Sequence, residues 1–483
     1  MNRCAVGMCA GVLLTAVSVW AQNGTGDVEK HIEKVVGCLH TPVLVKGDPC
    51  IPLAKQMEDL HIPGVSIAVI HDGKVEWARG YGVVAVGGAA VTPETLFQAG
   101  SISKPVAAMG ALKLVEEKKL SLDADVNSEL TTWKLPSAEA AKGKPVTLRE
   151  LLTHTGGTTV HGFPGYAKGE PVPTLVQVLN GEKPANTPAI RIEAEPGTKW
   201  NYSGGGFTIM QEMVVDVTKE PYPKFLHDTV LAPIGMKHST YEQPLPATMG
   251  PAAVPYNFDG APVAGGAHTY PEMAAAGLWT TASDLALYVM EVQRSQTAKA
   301  NHVLTQAMTE EMLKPGMGSW GLGVQISGME GDRYFTHGGV NAGFEALFVG
   351  YEKHGDGAVV MTNAQGGGRL ADMIIRSIAA EYGWPDFKQV MRSEVKVDPS
   401  VLAKYIGTYE LAPGFTDTFT LEGDRLMAQA TRQSKFQMFP ESETKFFFKV
   451  VDAEIEFVTD ASGKTTAMVL HQNGRDIRGA KKD

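Results

Sequence analysis

Apolar and polar positions alternate through PGVSIAVIHDGKVEWARGYG (63–82), with Val65, Ile67 and Val69 on one face and Val75 and Trp77 returning after Asp72-Gly73. A period of two broken by an Asp-Gly pair predicts a β-hairpin with a two-residue turn. The pattern changes at Val106–Val115, which is apolar on nearly every side before closing on Glu116-Glu117-Lys118-Lys119. A helix without a polar face for two turns is a buried central helix. Further on, TTASDLALYVMEVQ (280–293) has amphipathic helical spacing, with Thr281 or Ser283 available as its cap. GFEALFVGYE (343–352) and GAVVMTNA (357–364) read as strands on either side of His354-Gly355-Asp356. Strands at both ends with helices between them predict an α+β unit. Residues 121–270, rich in Pro, Gly and Thr, read as a loop-heavy lobe with short helical pieces.

The character changes near Lys388–Lys396. From about Asp398 the chain gives short alternating runs, DTFTLEG, RLMAQATR, KFFFKVV, EIEFVTD and TTAMVLHQ, separated by turn residues. These predict a separate small all-β domain, a barrel or sandwich, over 393–483, following a larger domain over 22–392. A length of 483 residues agrees with more than one folded unit.

The first 21 residues carry one early arginine, an apolar stretch and Val19-Trp20-Ala21 before a polar segment. This is the pattern of a signal peptide with cleavage after Ala21, and it predicts a periplasmic or secreted protein. No later segment approaches membrane-spanning length. The mature part keeps Cys38 and Cys50, an even pair that suggests one disulfide in an oxidising compartment, with two unpaired cysteines as the alternative. The net charge of −10, without any Lys/Arg-rich run, argues against nucleic acid as a partner.

Candidate chemistry begins with S-x-x-K, which occurs three times: Ser101/Lys104, Ser393/Lys396 and Ser442/Lys445. Only Ser101 opens a buried helix, with Pro105 in the first turn where a missing N–H costs little. Residues three apart at a helix start share a face, so Lys104 sits beside Ser101 while Ser103 points elsewhere. The positive helix end stabilises negative charge on a serine oxygen, and burial lowers the pKa of a lysine so that it accepts a proton. Ser101 is therefore the expected nucleophile. Tyr202 precedes a triple glycine in EPGTKWNYSGGGFTIM (195–210), where backbone can pass close to a ligand. His337 ends an apolar run in YFTHGGVNAGFEALFV (334–349), and Gly338-Gly339 provides a flat edge that a substrate backbone can join as an added strand.

Taken in this order, Ser101-Ile-Ser-Lys104, Tyr202-Ser-Gly204 and His337-Gly-Gly339 resemble the serine β-lactamase-related hydrolases: class C β-lactamases, D,D-peptidases, D-aminopeptidases and esterases of the same fold. TLRELLTHTGG (147–157), AAAGLWTTASDLALY (274–288) and WGLGVQI (320–326) extend the resemblance over about residues 50–385. The tail from LAKYIGTYEL (402–411) resembles a lipocalin-like C-terminal β-domain. The resemblance implies a β-lactamase/transpeptidase-like fold, an antiparallel sheet flanked by helices plus a helical lobe. It implies Ser101 as the acylated nucleophile, Lys104 as its base and Tyr202 as the proton relay. His337, with Gly338 and Gly339, takes the place of the family's Lys/His-x-Gly element, and the backbone N–H groups of Ser101 and Val340 form the oxyanion hole. His154, in LLTHTGG, is expected to shape a loop.

Two departures matter. The family's Tyr-x-Asn becomes Tyr202-Ser203-Gly204, and a histidine stands where most β-lactamases have lysine. Both point away from efficient penicillin turnover and toward esters or D-amino-acid peptides. The expected function is an exported serine hydrolase of a small ester, peptide or peptidoglycan-like substrate. A penicillin-binding D,D-carboxypeptidase or class C-like β-lactamase is the enzymatic alternative, and a slowly acylated or non-catalytic sensor the alternative from another class. Metal-ligand spacings, a P-loop and a nucleotide-binding glycine fingerprint are absent from the sequence, so no cofactor is expected.

Overall fold

A computed structural model describes residues 18–299 and 301–482. Most of the expected leader, 1–21, lies outside the described residues. Helix α1 (Ser18–Gly37) precedes a loop in which Cys38 and Cys50 are bonded, their Cα atoms 5.2 Å apart, and which contains strand β1 (Val43–Val45). The expected hairpin follows as β2 (Gly64–His71) and β3 (Lys74–Gly82). Asp72 and Gly73 both have positive φ, 50° and 71°, the backbone that a tight two-residue turn requires.

The chain then crosses a helical lobe containing α2 (Ser103–Glu116), α3 (Leu148–Leu152), α4 (Gly204–Thr218), α5 (Met273–Ala276) and α6 (Ala282–Gln296). It returns to the sheet through β4 (Gln325–Ser327), β5 (Tyr334–Asn341), β6 (Phe344–Tyr351) and β7 (Gly357–Thr362), and ends the unit with α7 (Gly367–Tyr382). The strand order is β3-β2-β7-β6-β5-β4, antiparallel throughout. The lobe packs on one face, against Ala68 and Ile70, and α1 with α7 on the other, against Val65, Ile67 and Val69. That double cover buries β2 along almost its whole length, although its sequence alternates only by size. Thr281, not Ser283, caps α6, accepting the Asp284 N–H.

Helix α2 is buried on all sides, as its unbroken apolar run requires. Helix α4 is a difference from the sequence reading. The triple glycine opens this 15-residue helix, and its glycines serve packing rather than ligand approach. A Cβ on Gly205 would stand 2.4 Å from the Thr159 carbonyl oxygen, and one on Gly204 would stand 2.8 Å from the Phe163 ring.

A strand β8 (Val390–Arg392) pairs in parallel with β1 and leads into an all-β unit. Its strands are β9 (Gly407–Ala412), β10 (Phe415–Glu422), β11 (Arg425–Ala430), β12 (Phe436–Gln437), β13 (Phe439–Pro440), β14 (Lys445–Phe447), β15 (Ala453–Thr459), β16 (Thr465–Gln472) and β17 (Arg475–Lys482). They form one antiparallel sheet, ordered β12-β11-β10-β9-β17-β16-β15-β14-β13. Its two ends, β12 and β13, are separated in sequence by Met438 alone, so the sheet curls into a nearly closed barrel. Aromatic rings fill the interior, with Tyr405 stacked on Phe457 at 4.1 Å and Phe419 edge-on to Phe457 at 5.0 Å. The barrel is fastened to the β1–β8 pair. Phe447 and Phe439 pack on Val43, Val45 and Val390, Lys449 pairs with Asp48 at 2.8 Å, and Arg392 reaches Glu441, Asp452 and Glu454. No described helix is long and apolar enough to cross a membrane.

Candidate active site

The site is assembled where the start of α2 meets the edge of β5. Residues Gly100–Ile102 make a 3₁₀ turn directly ahead of α2, and Ser101 lies half-buried on it. Gly100 has φ 52°, and a Cβ there would lie 2.5 Å from the backbone nitrogen of Val340. Opposite it, a Cβ on Gly339 would lie 1.9 Å from the Ala99 carbonyl oxygen. The two glycines let backbone touch backbone, and so bring the Ser101 turn and the Val340 nitrogen together. Gly338 and Val340 face outward on β5, whereas His337 and Gly339 face inward.

Lys104 is 2 % exposed, and its ammonium donates to Ser101 Oγ at 2.9 Å and to the Ala275 carbonyl on α5 at 2.8 Å. Its Nζ stands 5.0 Å from the centre of the Tyr202 ring. Ser103 is fully buried and committed elsewhere, donating to the Gly100 carbonyl at 2.6 Å and accepting the Leu278 N–H at 2.9 Å. The remaining S-x-x-K lysine in a folded strand, Lys445, faces Glu454 and Glu456 rather than Ser442. The structure therefore brings Ser101, Lys104, Tyr202 and His337 together and leaves the other two motifs outside.

His337 is buried, with Nδ1 2.5 Å from the Gly338 carbonyl oxygen. Nδ1 therefore carries the hydrogen, and Nε2 is left as an acceptor with no partner among the described residues. Burial first, and then the nearby Lys104 charge, push its pKa down to about 3, so the imidazole is neutral at any working pH.

Two features escaped the sequence reading. His154, expected to shape a loop, lies in the site with its ring 4.3 Å from that of Tyr202. Trp320 joins it, 5.8 Å from the tyrosine ring and 5.5 Å from His337, and Trp200 lies 5.6 Å from Trp320. A Trp two residues before the tyrosine and the Trp of WGLGVQI were the available signals, but apolar aromatics near glycine turns look the same in a core. Among the described residues no cluster of side chains suits a metal ion.

The sequence matches the beta-lactamase family over residues 53–382. The chain belongs to that family. A second match, to a domain of unknown function (DUF3471), covers residues 391–481, the stretch containing the barrel. Penicillin-binding protein 4* of Bacillus subtilis is 22% identical over 413 residues, which are 79% of this chain and 86% of that protein. Among solved structures, the octameric penicillin-binding protein homologue from Pyrococcus abyssi superposes with a TM-score of 0.63 at 22% identity, over 95% of this chain and all of that one. The D-alanine carboxypeptidase AmpC from Burkholderia cenocepacia gives 0.54 at 20% identity, over 73% and 99%. These likenesses carry the beta-lactamase fold, a sheet with a helical lobe on one face, across the chain's larger unit.

One buried group beside α5 bears on stability. Glu272 immediately precedes α5, is fully buried, and has no partner for either carboxyl oxygen among the described residues. Burial pushes its pKa from 4.5 to about 8. Between those values the folded state holds one proton more than the unfolded chain, so stability falls as pH rises from 4.5 to about 8. At about 1.4 kcal/mol per unit the full loss is on the order of 5 kcal/mol. Glu272→Gln, neutral at every pH, is expected to raise the thermal midpoint at pH 8 and leave it nearly unchanged at pH 5. A midpoint difference independent of pH would contradict this.

Proposed function

We propose that this beta-lactamase family member is an exported serine hydrolase that cleaves esters or D-amino-acid amides lacking a free carboxylate next to the scissile bond. The observation that carries the reading is the 2.9 Å contact between Lys104 Nζ and Ser101 Oγ, with the centre of the Tyr202 ring 5.0 Å from the same ammonium. Lys104 is the group placed to take the Ser101 proton as Oγ attacks the carbonyl carbon. The oxyanion is held by the N–H groups of Ser101 and Val340, whose backbones meet at Gly100 and Gly339. Tyr202 gives its phenolic proton to the leaving oxygen or nitrogen as that bond breaks and takes a proton back from Lys104. Water then attacks the Ser101 ester by the reverse relay and frees the acid.

The substrate preference rests on charge. A lysine at position 337 would offer a cation to a substrate carboxylate, whereas the buried histidine is neutral and its free Nε2 only accepts. The ring beside Tyr202, Trp320, is aromatic and adds no cation. Export is supported by the leader pattern and by the Cys38–Cys50 bond.

The test is intact-protein mass after incubation with benzylpenicillin, beside turnover of phenyl acetate and D-alanine p-nitroanilide. An unmodified mass, intact drug and turnover of a carboxylate-free substrate are expected. A persistent penicillin adduct would favour the carboxypeptidase reading suggested by the relatives' names. Adduct formation without turnover of either substrate would favour a sensor.

A further inference from the structure

We propose that His154 is the positioning residue for Tyr202, holding the tyrosine against Lys104 by gripping the chain on both sides of it. The proposal rests on the proton-carrying role given to Tyr202 above. His154 follows α3 with φ 59°, in the left-handed region that side-chain-bearing residues adopt at a cost in strain. Glycine or asparagine would occupy such a position without that cost. The histidine instead makes three contacts that bracket one residue. Its carbonyl accepts the Asn201 N–H at 2.9 Å, its Nδ1 accepts the Ser203 N–H at 3.2 Å, and its ring lies tilted against that of Tyr202, 4.3 Å away at 37°.

The far side of the grip is equally fixed. Ser203 caps α4 by accepting the Gly206 N–H at 3.0 Å, and its hydroxyl donates to the Thr159 carbonyl at 3.1 Å. Tyr202 is thereby held between a helix start and an imidazole, and no hydrogen bond to its own hydroxyl is present among the described residues. Orientation has to come from the backbone and the ring face.

A space-filling role alone would be served by any aromatic ring among Trp200, Phe207 and Trp320. What a plain ring lacks is the acceptor for Ser203 N–H, which only a neutral imidazole supplies, since protonation would turn Nδ1 into a second donor facing that N–H. Burial, Lys104 and His337 all disfavour the charged ring, in that order.

The experiment is a double-mutant cycle on phenyl acetate turnover by the full chain, with folding followed by the thermal midpoint. His154→Phe keeps the ring and removes the acceptor. It is expected to lower kcat by about 10–100-fold with KM within about threefold, the cost of a misplaced catalytic group. In a Tyr202→Phe background the same substitution is expected to cost less than about threefold, because it acts only through the tyrosine. His154→Asn, whose amide oxygen accepts the same N–H and which tolerates the left-handed backbone, is expected to recover most of the lost kcat. Equal losses in both backgrounds, or unchanged kcat in His154→Phe, overturn the proposal. If His154→Phe does not fold, the cycle is read from His154→Leu, which likewise lacks the acceptor, and a loss of equal size in both backgrounds overturns the proposal in the same way. Should Tyr202→Phe keep the parent kcat, or the parent fail to turn over phenyl acetate, the functional reading itself has failed and the proposal falls with it.

Discussion

Under the proposed function, Ser101→Ala is expected to reduce ester turnover to the protein-free background, a loss on the order of 10⁴–10⁶, while Ser103→Ala is expected to leave an enzyme within about tenfold of the parent. The two serines are two positions apart and equally suited by composition, so geometry alone separates them. Ser101 faces the Lys104 ammonium from a half-exposed turn. Ser103 is sealed into the core, where its hydroxyl joins the Gly100 carbonyl to the Leu278 N–H, and its own carbonyl accepts the Tyr241 hydroxyl. Removing that hydroxyl leaves a buried N–H without its acceptor, a cost of about 1–3 kcal/mol in stability. The expected signature is thus crossed: Ser101→Ala is inactive with a normal thermal midpoint, and Ser103→Ala is active with a lowered one. Equal loss of turnover in both would refute the assignment of the nucleophile.

Gly339→Ala is expected to cost about 10²–10³ in kcat, comparable to losing an oxyanion donor, together with a lower thermal midpoint. The new methyl would have to share space with the Ala99 carbonyl, 1.9 Å away, and with the Ile102 nitrogen at 3.2 Å. Both obstacles are backbone, so neither can swing aside, and β5 must move away from the Ser101 turn. Gly338→Ala provides the control for folding, since the nearest atom there is the Ala346 carbonyl oxygen at 3.8 Å. Its thermal midpoint is expected to match the parent. A Gly339→Ala protein with parental kcat and midpoint would show that the strand and the turn do not need this approach.

Local chemistry made much of this legible before any fold was known. The β2–β3 turn is announced by Asp72-Gly73, the burial of α2 by its lack of a polar face, and the Ser101–Lys104 pair by their spacing at a helix start. Contacts between distant parts of the chain were not legible. His154 meets Ser203 across 49 residues, and nothing in LLTHTGG shows that its ring will lie against a tyrosine. Helix α4 was hidden for a different reason. It begins with three glycines, poor helix formers that tertiary packing overrides, and so it resembles a loop. The neutrality of His337 depends on burial and on the Lys104 charge, neither of which a sequence displays.

The strand order carries a consequence for the timing of activity during biosynthesis. β2 lies between β3 and β7, and its register pairs Val65 with Thr362, nearly three hundred positions later. At the usual 5–20 residues per second, synthesis of that interval takes about 15–60 s. Ser101 and Lys104 are made early in it, but the strand carrying His337, Gly339 and Val340 arrives near its end. A nascent chain therefore carries Ser101 and Lys104 for most of that time without the strand that stands opposite them. The Ser101 turn and β5 come together only when the larger domain is essentially complete.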